Sequence, residues 1–116
     1  MKVGDQLATV IALGTTNGHI MAQRRFERAP FLCRGTLYAN GSALGLTAEL
    51  NVGGRSVSPA TDVNAQNRLP VVPDDLLFAE WIAYPGEQIQ ITVANPTAGN
   101  LTFFWKIELE ELEVQQ

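Results

Sequence analysis

Apolar and polar residues alternate in three segments of the chain, residues 44–52, 88–94 and 101–109. A period of two places successive side chains on opposite faces of a β-strand, so one face of each segment is buried and the other is in water. The predicted inward sets are Leu44, Leu46, Ala48, Leu50 and Val52; Ile89, Ile91 and Val93; and Leu101, Phe103, Trp105, Ile107 and Leu109.

Gly, Pro and Asn interrupt the sequence roughly every eight to twelve residues, a spacing typical of sandwiches and barrels. This punctuation predicts an all-β fold, with strands at residues 7–13, 19–26, 31–39, 44–52, 55–58, 76–84, 88–94 and 101–109. About eight antiparallel strands in two sheets make a jelly roll. An immunoglobulin-like sandwich is the alternative, since it buries the same alternating faces.

Three turns and one long connection are expected between these strands. Asn17-Gly18 predicts a hairpin turn, Gly53-Gly54 a tight turn, and Tyr84-Pro85-Gly86-Glu87 a type II turn. Residues 59–75 contain three prolines and no clean period. They predict a long loop, which either carries function or simply crosses between the sheets.

Length and charge limit the possible functions. The 116 residues suit a single domain, 1–116, and 46% hydrophobic residues suffice for a core. The net charge is −4, with +3 on residues 1–58 and −7 on residues 59–116. Nucleic acid is an unlikely partner of so acidic a chain, because phosphate binding needs clustered Lys and Arg.

The sequence nominates no catalytic, cofactor-binding or metal-binding residue, and we expect a protein that is not an enzyme. The single histidine, His19, adjoins the predicted Asn-Gly turn and is expected to be solvated. The single cysteine, Cys33, lies among apolar residues and is expected to be a buried, inert thiol. The acidic residues of the C-terminal part lack the spacing of a calcium loop; they are Glu108, Glu110, Glu111 and Glu113.

Five residues are candidate interface residues. Arg24, Arg25 and Arg28 form a basic cluster beside Phe26, and they suit an exposed strand end, a protein interface or, less well, nucleic acid. Phe104 falls on the outward parity of the last strand and is a candidate interface anchor. Glu108 shares that parity and the acidic end of the strand, where a solvated edge or a subunit contact is expected.

Two tryptophans raise the possibility of sugar stacking. Trp81 and Trp105 both fall on the apolar parity of their strands, which favours the core. A glycan-binding platform would require Trp81 to face outward. A glycan- or ligand-binding sandwich module is therefore the alternative function.

The closing part of the chain resembles small jelly-roll proteins of bacteriophage virions, of the capsid decoration and minor capsid type. The resemblance lies in a strand, the turn Tyr84-Pro85-Gly86-Glu87, the strand Gln88–Asn95, a short loop and a last strand, with residues 44–58 as an inner hairpin. It covers residues 31–110.

This resemblance implies a non-enzymatic structural protein that forms a homo-oligomer, with a trimer favoured, and that binds the major capsid protein. It implies location in the virion after assembly in the host cytoplasm. The apolar run 7–13 is too short for a signal peptide and lacks its flanks, and no stretch is long enough for a membrane span.

Overall fold

The computed structural model describes residues 1–70 and 77–112, and these ranges contain nine β-strands. They are β1 (Lys2–Ile11), β2 (Thr15–Asn17), β3 (Cys33–Gly41), β4 (Thr47–Val52), β5 (Arg55–Asp62), β6 (Asn64–Ala65), β7 (Leu77–Ala83), β8 (Ile89–Asn95) and β9 (Leu101–Glu111). No helix in the described ranges has the length and apolarity that crossing a bilayer requires.

The strands form two sheets that pack as a sandwich. Sheet A has the order β1-β9-β3, with β7 and the short β6 both on the far edge of β3. Sheet B has the order β2-β8-β4-β5. All neighbours are antiparallel except β3 and β6, which are parallel.

The pairing is nested around the turn between β4 and β5. β4 pairs with β5, β3 with β7, β2 with β8 and β1 with β9, so the chain resembles one long hairpin folded back on itself. This is the double Greek key of the predicted jelly roll. In the immunoglobulin-like alternative the first two strands share a sheet, whereas here β1 and β2 lie in different sheets.

The core lies between the sheets and confirms most of the predicted inward positions. Ile89, Ile91 and Val93 are buried, as are the predicted residues of β9 from Phe103 to Leu109. Both tryptophans are core residues, as predicted: Trp105 is 0% exposed and Trp81 is 6% exposed. Leu44 is 77% exposed, because β4 begins only at Thr47 and leaves it in the preceding loop.

Cys33 is buried as expected, and burial raises the pKa of its thiol. Two turns are also confirmed. Gly53 and Gly54 have φ values of +59° and +81°, the left-handed conformation that the tight turn needs. Gly86 has a φ of +84°, and the Glu87 amide donates to the Tyr84 carbonyl at 3.1 Å, which closes the type II turn.

The predicted hairpin at Asn17-Gly18 and the predicted strand 19–26 are wrong. Residues 15–17 form β2, paired with β8, and the Asn17 side chain accepts a hydrogen bond from the His19 amide at 2.8 Å. Residues 18–32 then run through successive turns beside β8, where Arg28 forms a bridge with Gln88. Ile20 and Met21 are adjacent and both buried, which a strand with one wetted face does not allow.

Other strand boundaries also differ from the predicted ones. The strand predicted at 7–13 begins at Lys2 and ends at Ile11, and the strand predicted at 31–39 runs from Cys33 to Gly41. The long loop predicted at 59–75 is partly ordered as strand: β5 continues through Pro59, which an edge strand tolerates, and β6 follows. Residues 71–75 of the predicted loop lie outside the described residues, and so does Leu76, the first residue of the strand predicted at 76–84.

Candidate functional site

Within residues 1–70 and 77–112, no group of three His, Cys, Asp or Glu side chains is placed to hold a metal ion. A shallow cavity of about 220 Å³ lies between residues 18–27 and β8, lined by His19, Glu27 and Gln88 among others. His19 is exposed, as expected, and the Glu27 carboxylate accepts the Gln23 amide at 3.0 Å. The Glu27 carboxylate that lines this cavity is therefore already hydrogen-bonded within residues 18–27.

Arg24, one of the predicted interface residues, is engaged inside the molecule. Its guanidinium makes a bidentate ion pair with Asp5 of β1, with Nε–Oδ2 and Nη2–Oδ1 distances of 3.0 and 2.8 Å. The same group lies 5.7 Å from the centre of the Trp105 ring. The hydrogen bonds that Arg24 donates to the Asp5 carboxylate raise the pKa of Arg24. Arg24 therefore ties residues 18–32 to sheet A.

Asp5 was missed by the sequence reasoning, although a signal existed. In the register of β1, Asp5 lies on the inward parity between Val3 and Leu7. An inward carboxylate next to an arginine-rich segment indicates an internal ion pair. Asp5 lies outside the predicted strand 7–13, and its inward direction was therefore not predicted.

Arg25 and Arg28 are exposed on the same segment of turns. Arg28 donates to the Gly86 carbonyl at 3.0 Å, while its backbone forms a bridge to Gln88. Arg28 thus lies beside the turn between β7 and β8. Both arginines remain available to an acidic partner.

Phe104 and Glu108 lie on a different surface, the outer face of sheet A. Phe104 is half-buried, opposite Ala8 of β1 and Asn40 of β3. The Glu108 carboxylate contacts Lys2 at 3.0 Å and Lys106 at 3.7 Å, and the contact with Glu108 raises the pKa of Lys2. The structure therefore brings Phe104 and Glu108 onto one face, and places the arginine cluster elsewhere.

The remaining feature is the free edge of β1, which is ten residues long. The Glu111 amide donates to the Met1 carbonyl at 2.8 Å, and the register between β1 and β9 is unbroken. Because hydrogen-bonded and non-bonded pairs alternate, the odd residues of β1 direct their backbone groups to β9. The even residues direct theirs away from the sheet; they are Lys2, Gly4, Gln6, Ala8 and Val10.

The described residues supply a partner for only one of these five outward amides: the Gln6 amide donates to Asp5 Oδ1 at 2.9 Å. All five residues are exposed. An edge of this length with open donors and acceptors is a template for pairing with another strand.

Apolar side chains accompany this edge. Leu7 lies on the inward parity yet is 37% exposed, and the edge strand β2 of the opposite sheet has only three residues. Val10 is 64% and Leu13 is 54% exposed. The hydroxyl of Thr9, between them, is buried and has no hydrogen-bond partner within the described ranges. The sandwich is thus incompletely covered along β1.

No protein-family model matches this chain, and no curated protein matches its sequence.

Proposed function

We propose that this protein is a non-enzymatic structural protein of a phage particle, a decoration, stabilising or minor capsid protein. In this proposal it forms a closed homo-oligomer and binds the major capsid protein. Jelly rolls build viral capsids, and the same architecture also occurs in lectins and cupins. Assembly in the host cytoplasm agrees with a buried, free Cys33, since reducing compartments keep thiols unpaired.

The observation that carries this proposal is the uncovered edge of β1. An edge strand with open backbone groups and exposed apolar residues is a hazard that monomeric proteins usually cover or charge. Here the edge carries one charged residue, Lys2, among its five outward positions. Contact with another protein would bury Leu7 and Val10 and complete the sandwich.

The outer face of sheet A is a second surface suited to a protein lattice. Acids and bases interleave across it, with Lys2, Glu108 and Lys106 in contact and Arg34 3.7 Å from Glu80. Such mixed charge favours a specific protein partner over a polyanion. On a lattice, many copies of a modest interface give strong overall attachment.

The glycan-binding alternative would need an exposed tryptophan ring on which a sugar could stack. Trp81 faces the core and Trp105 is fully buried, so neither ring presents a face to a sugar. Tyr84 is 60% exposed, but it stands in the turn between β7 and β8. The surface therefore favours protein contact over sugar stacking.

The test is association with particles. Particles from the source culture are banded on a density gradient, and mass spectrometry measures the copy number of this chain relative to the major capsid protein. We expect a fixed ratio that survives re-banding. A chain found only in the soluble fraction would overturn the proposal.

Variants identify the surface that contacts the lattice. Arg25→Glu and Phe104→Ala are added to particles that lack the protein, with Gln90→Glu on the exposed side of β8 as the control. We expect at least one of the two to lower the bound copy number several-fold while Gln90→Glu binds normally. Equal binding by all three would remove Arg25 and Phe104 as contact residues.

A further inference from the structure

We infer that β1 pairs antiparallel with β1 of a second copy of this chain, around a twofold axis that passes at Leu7. This inference rests on the homo-oligomer of the proposed function and gives it a symmetry and a register. It does not depend on the phage particle, because the contact needs only two copies of the chain.

The backbone of β1 permits two kinds of twofold axis. Outward groups belong to even residues, so an axis at an even residue makes a hydrogen-bonded pair and an axis at an odd residue makes a non-bonded pair. An axis at Gln6 would oppose Asp5, which is engaged with Arg24, to the apolar Leu7. An axis at Leu7 instead opposes Leu7 to its own copy.

The Leu7 axis explains the exposure of that side chain. In a non-bonded antiparallel pair the Cα atoms are about 4.5 Å apart and the side chains are closest. Two leucines there would bury apolar surface of a side chain that is 37% exposed in the single chain. The register thus fills the gap along β1 with the same residue from each copy.

The same register is compatible with every charge on the strand. It places Lys2 against Ala12, Val3 against Ile11, and Asp5 against Thr9, so no like charges face each other. The Asp5 carboxylate would lie opposite the polar Thr9 and would keep its ion pair with Arg24. A twofold interface requires such self-complementarity, since each pair occurs twice.

The contact is expected to be weak on its own. Ten residues a side fall below the roughly 20–30 of a standard interface. We therefore expect a dissociation constant in the micromolar range. A twofold contact gives a dimer, or a higher assembly that contains twofold axes, in place of the trimer that the resemblance implies.

A charge exchange at position 7 tests the axis. Sedimentation equilibrium measures the mass of the wild type, of Leu7→Glu and of Leu7→Lys across the micromolar range, with circular dichroism to verify folding. We expect each variant alone to dissociate at least tenfold more readily than the wild type, because like charges meet at the axis. An equimolar mixture should restore the dimer. Leu44→Glu, exposed in the loop before β4, should associate as the wild type does.

A cysteine at position 7 provides a test that keeps a small side chain. A non-bonded pair brings the Cα atoms within the range of a disulfide, and the native Cys33 is buried. We expect Leu7→Cys to form a cross-linked dimer under mild oxidation and Leu44→Cys to remain monomeric on a denaturing gel.

The outcomes separate this inference from the proposed function. A wild type that stays monomeric or forms a trimer, or a Leu7→Cys chain that does not cross-link, overturns the β1 axis even if the chain is found in particles. A dimer whose Leu7→Glu and Leu7→Lys forms restore each other establishes the axis even if the chain is absent from particles.

Discussion

The contact between Gly35 and Trp81 offers a direct test of how sheet A is packed. Gly35 of β3 lies opposite Trp81 of β7, and a Cβ atom on Gly35 would lie 2.7 Å from Nε1 of the indole and closer still to Cε2 and Cζ2. Carbon atoms in contact prefer about 3.5–4.0 Å, and the buried ring has little room to move. We expect Gly35→Ala to lower the free energy of unfolding by about 1–3 kcal/mol through overpacking.

A double-mutant cycle shows whether the indole is the cause. Trp81→Ala alone should cost about 3–5 kcal/mol. In that background the added methyl meets a cavity, so the double variant should cost about 1–2 kcal/mol less than the sum of the single variants. Urea unfolding followed by Trp105 fluorescence measures all four proteins, because Trp105 is retained in each.

Gly99→Ala is the matched control. No atom lies within 4 Å of a Cβ at that position, and its φ is outside the left-handed region. It should change the free energy of unfolding by less than about 0.5 kcal/mol. A Gly35→Ala variant as stable as Gly99→Ala, or additive single effects, would refute the packing of Trp81 on the β3 backbone.

Three further predictions concern single side chains. Asp5→Ala and Arg24→Ala should each cost about 1 kcal/mol and the double variant less than their sum, by urea unfolding; additivity would contradict their pairing. Arg55 and the Tyr84 amide lower the pKa of Glu87. The stabilising effect of its carboxylate is present above the ordinary pKa of a glutamate and is lost as pH falls through the lower folded value, so Glu87→Gln should flatten the loss of stability at pH values below that ordinary pKa. The native Cys33 thiol should react with a thiol reagent far more slowly than in urea; equal rates would contradict its burial.

The sequence predicts best those strands that lie in the middle of a sheet. β8 and β9 each have a neighbouring strand on both sides and pack against the core on one face. The alternation therefore identified the inward residues Ile89, Ile91 and Val93 of β8 and Phe103, Trp105, Ile107 and Leu109 of β9. Turn residues with a required positive φ, Gly53 and Gly86, were equally informative. In these places local and long-range requirements agree.

The prediction failed where long-range contacts decide the local structure. The three residues of β2 are strand only because β8 provides a partner, and no pattern of that length is readable. Residues 19–26 contain buried apolar side chains, but these are positioned by turns and by the Arg24–Asp5 ion pair.

Of the five candidate interface residues, Arg25 and Arg28 are exposed, Phe104 and Glu108 are half-buried, and Arg24 is paired with Asp5. Their role at an interface stays a prediction. The free edge of β1 was not predicted, because an edge is a property of strand order, which the sequence pattern does not encode.

The nested strand order has a consequence for synthesis on the ribosome. β9 lies between β1 and β3 in sheet A, so both earlier strands lack their central partner until residues 101–111 have left the exit tunnel. The chain loses the entropy of closing such long loops before the stabilising contacts between strands form, and topologies of this kind therefore fold slowly. The β1 segment is thus exposed on every nascent chain of a polysome, where neighbouring copies are close. Chaperone binding to this segment during translation would keep one copy from pairing with the next before its own β9 arrives.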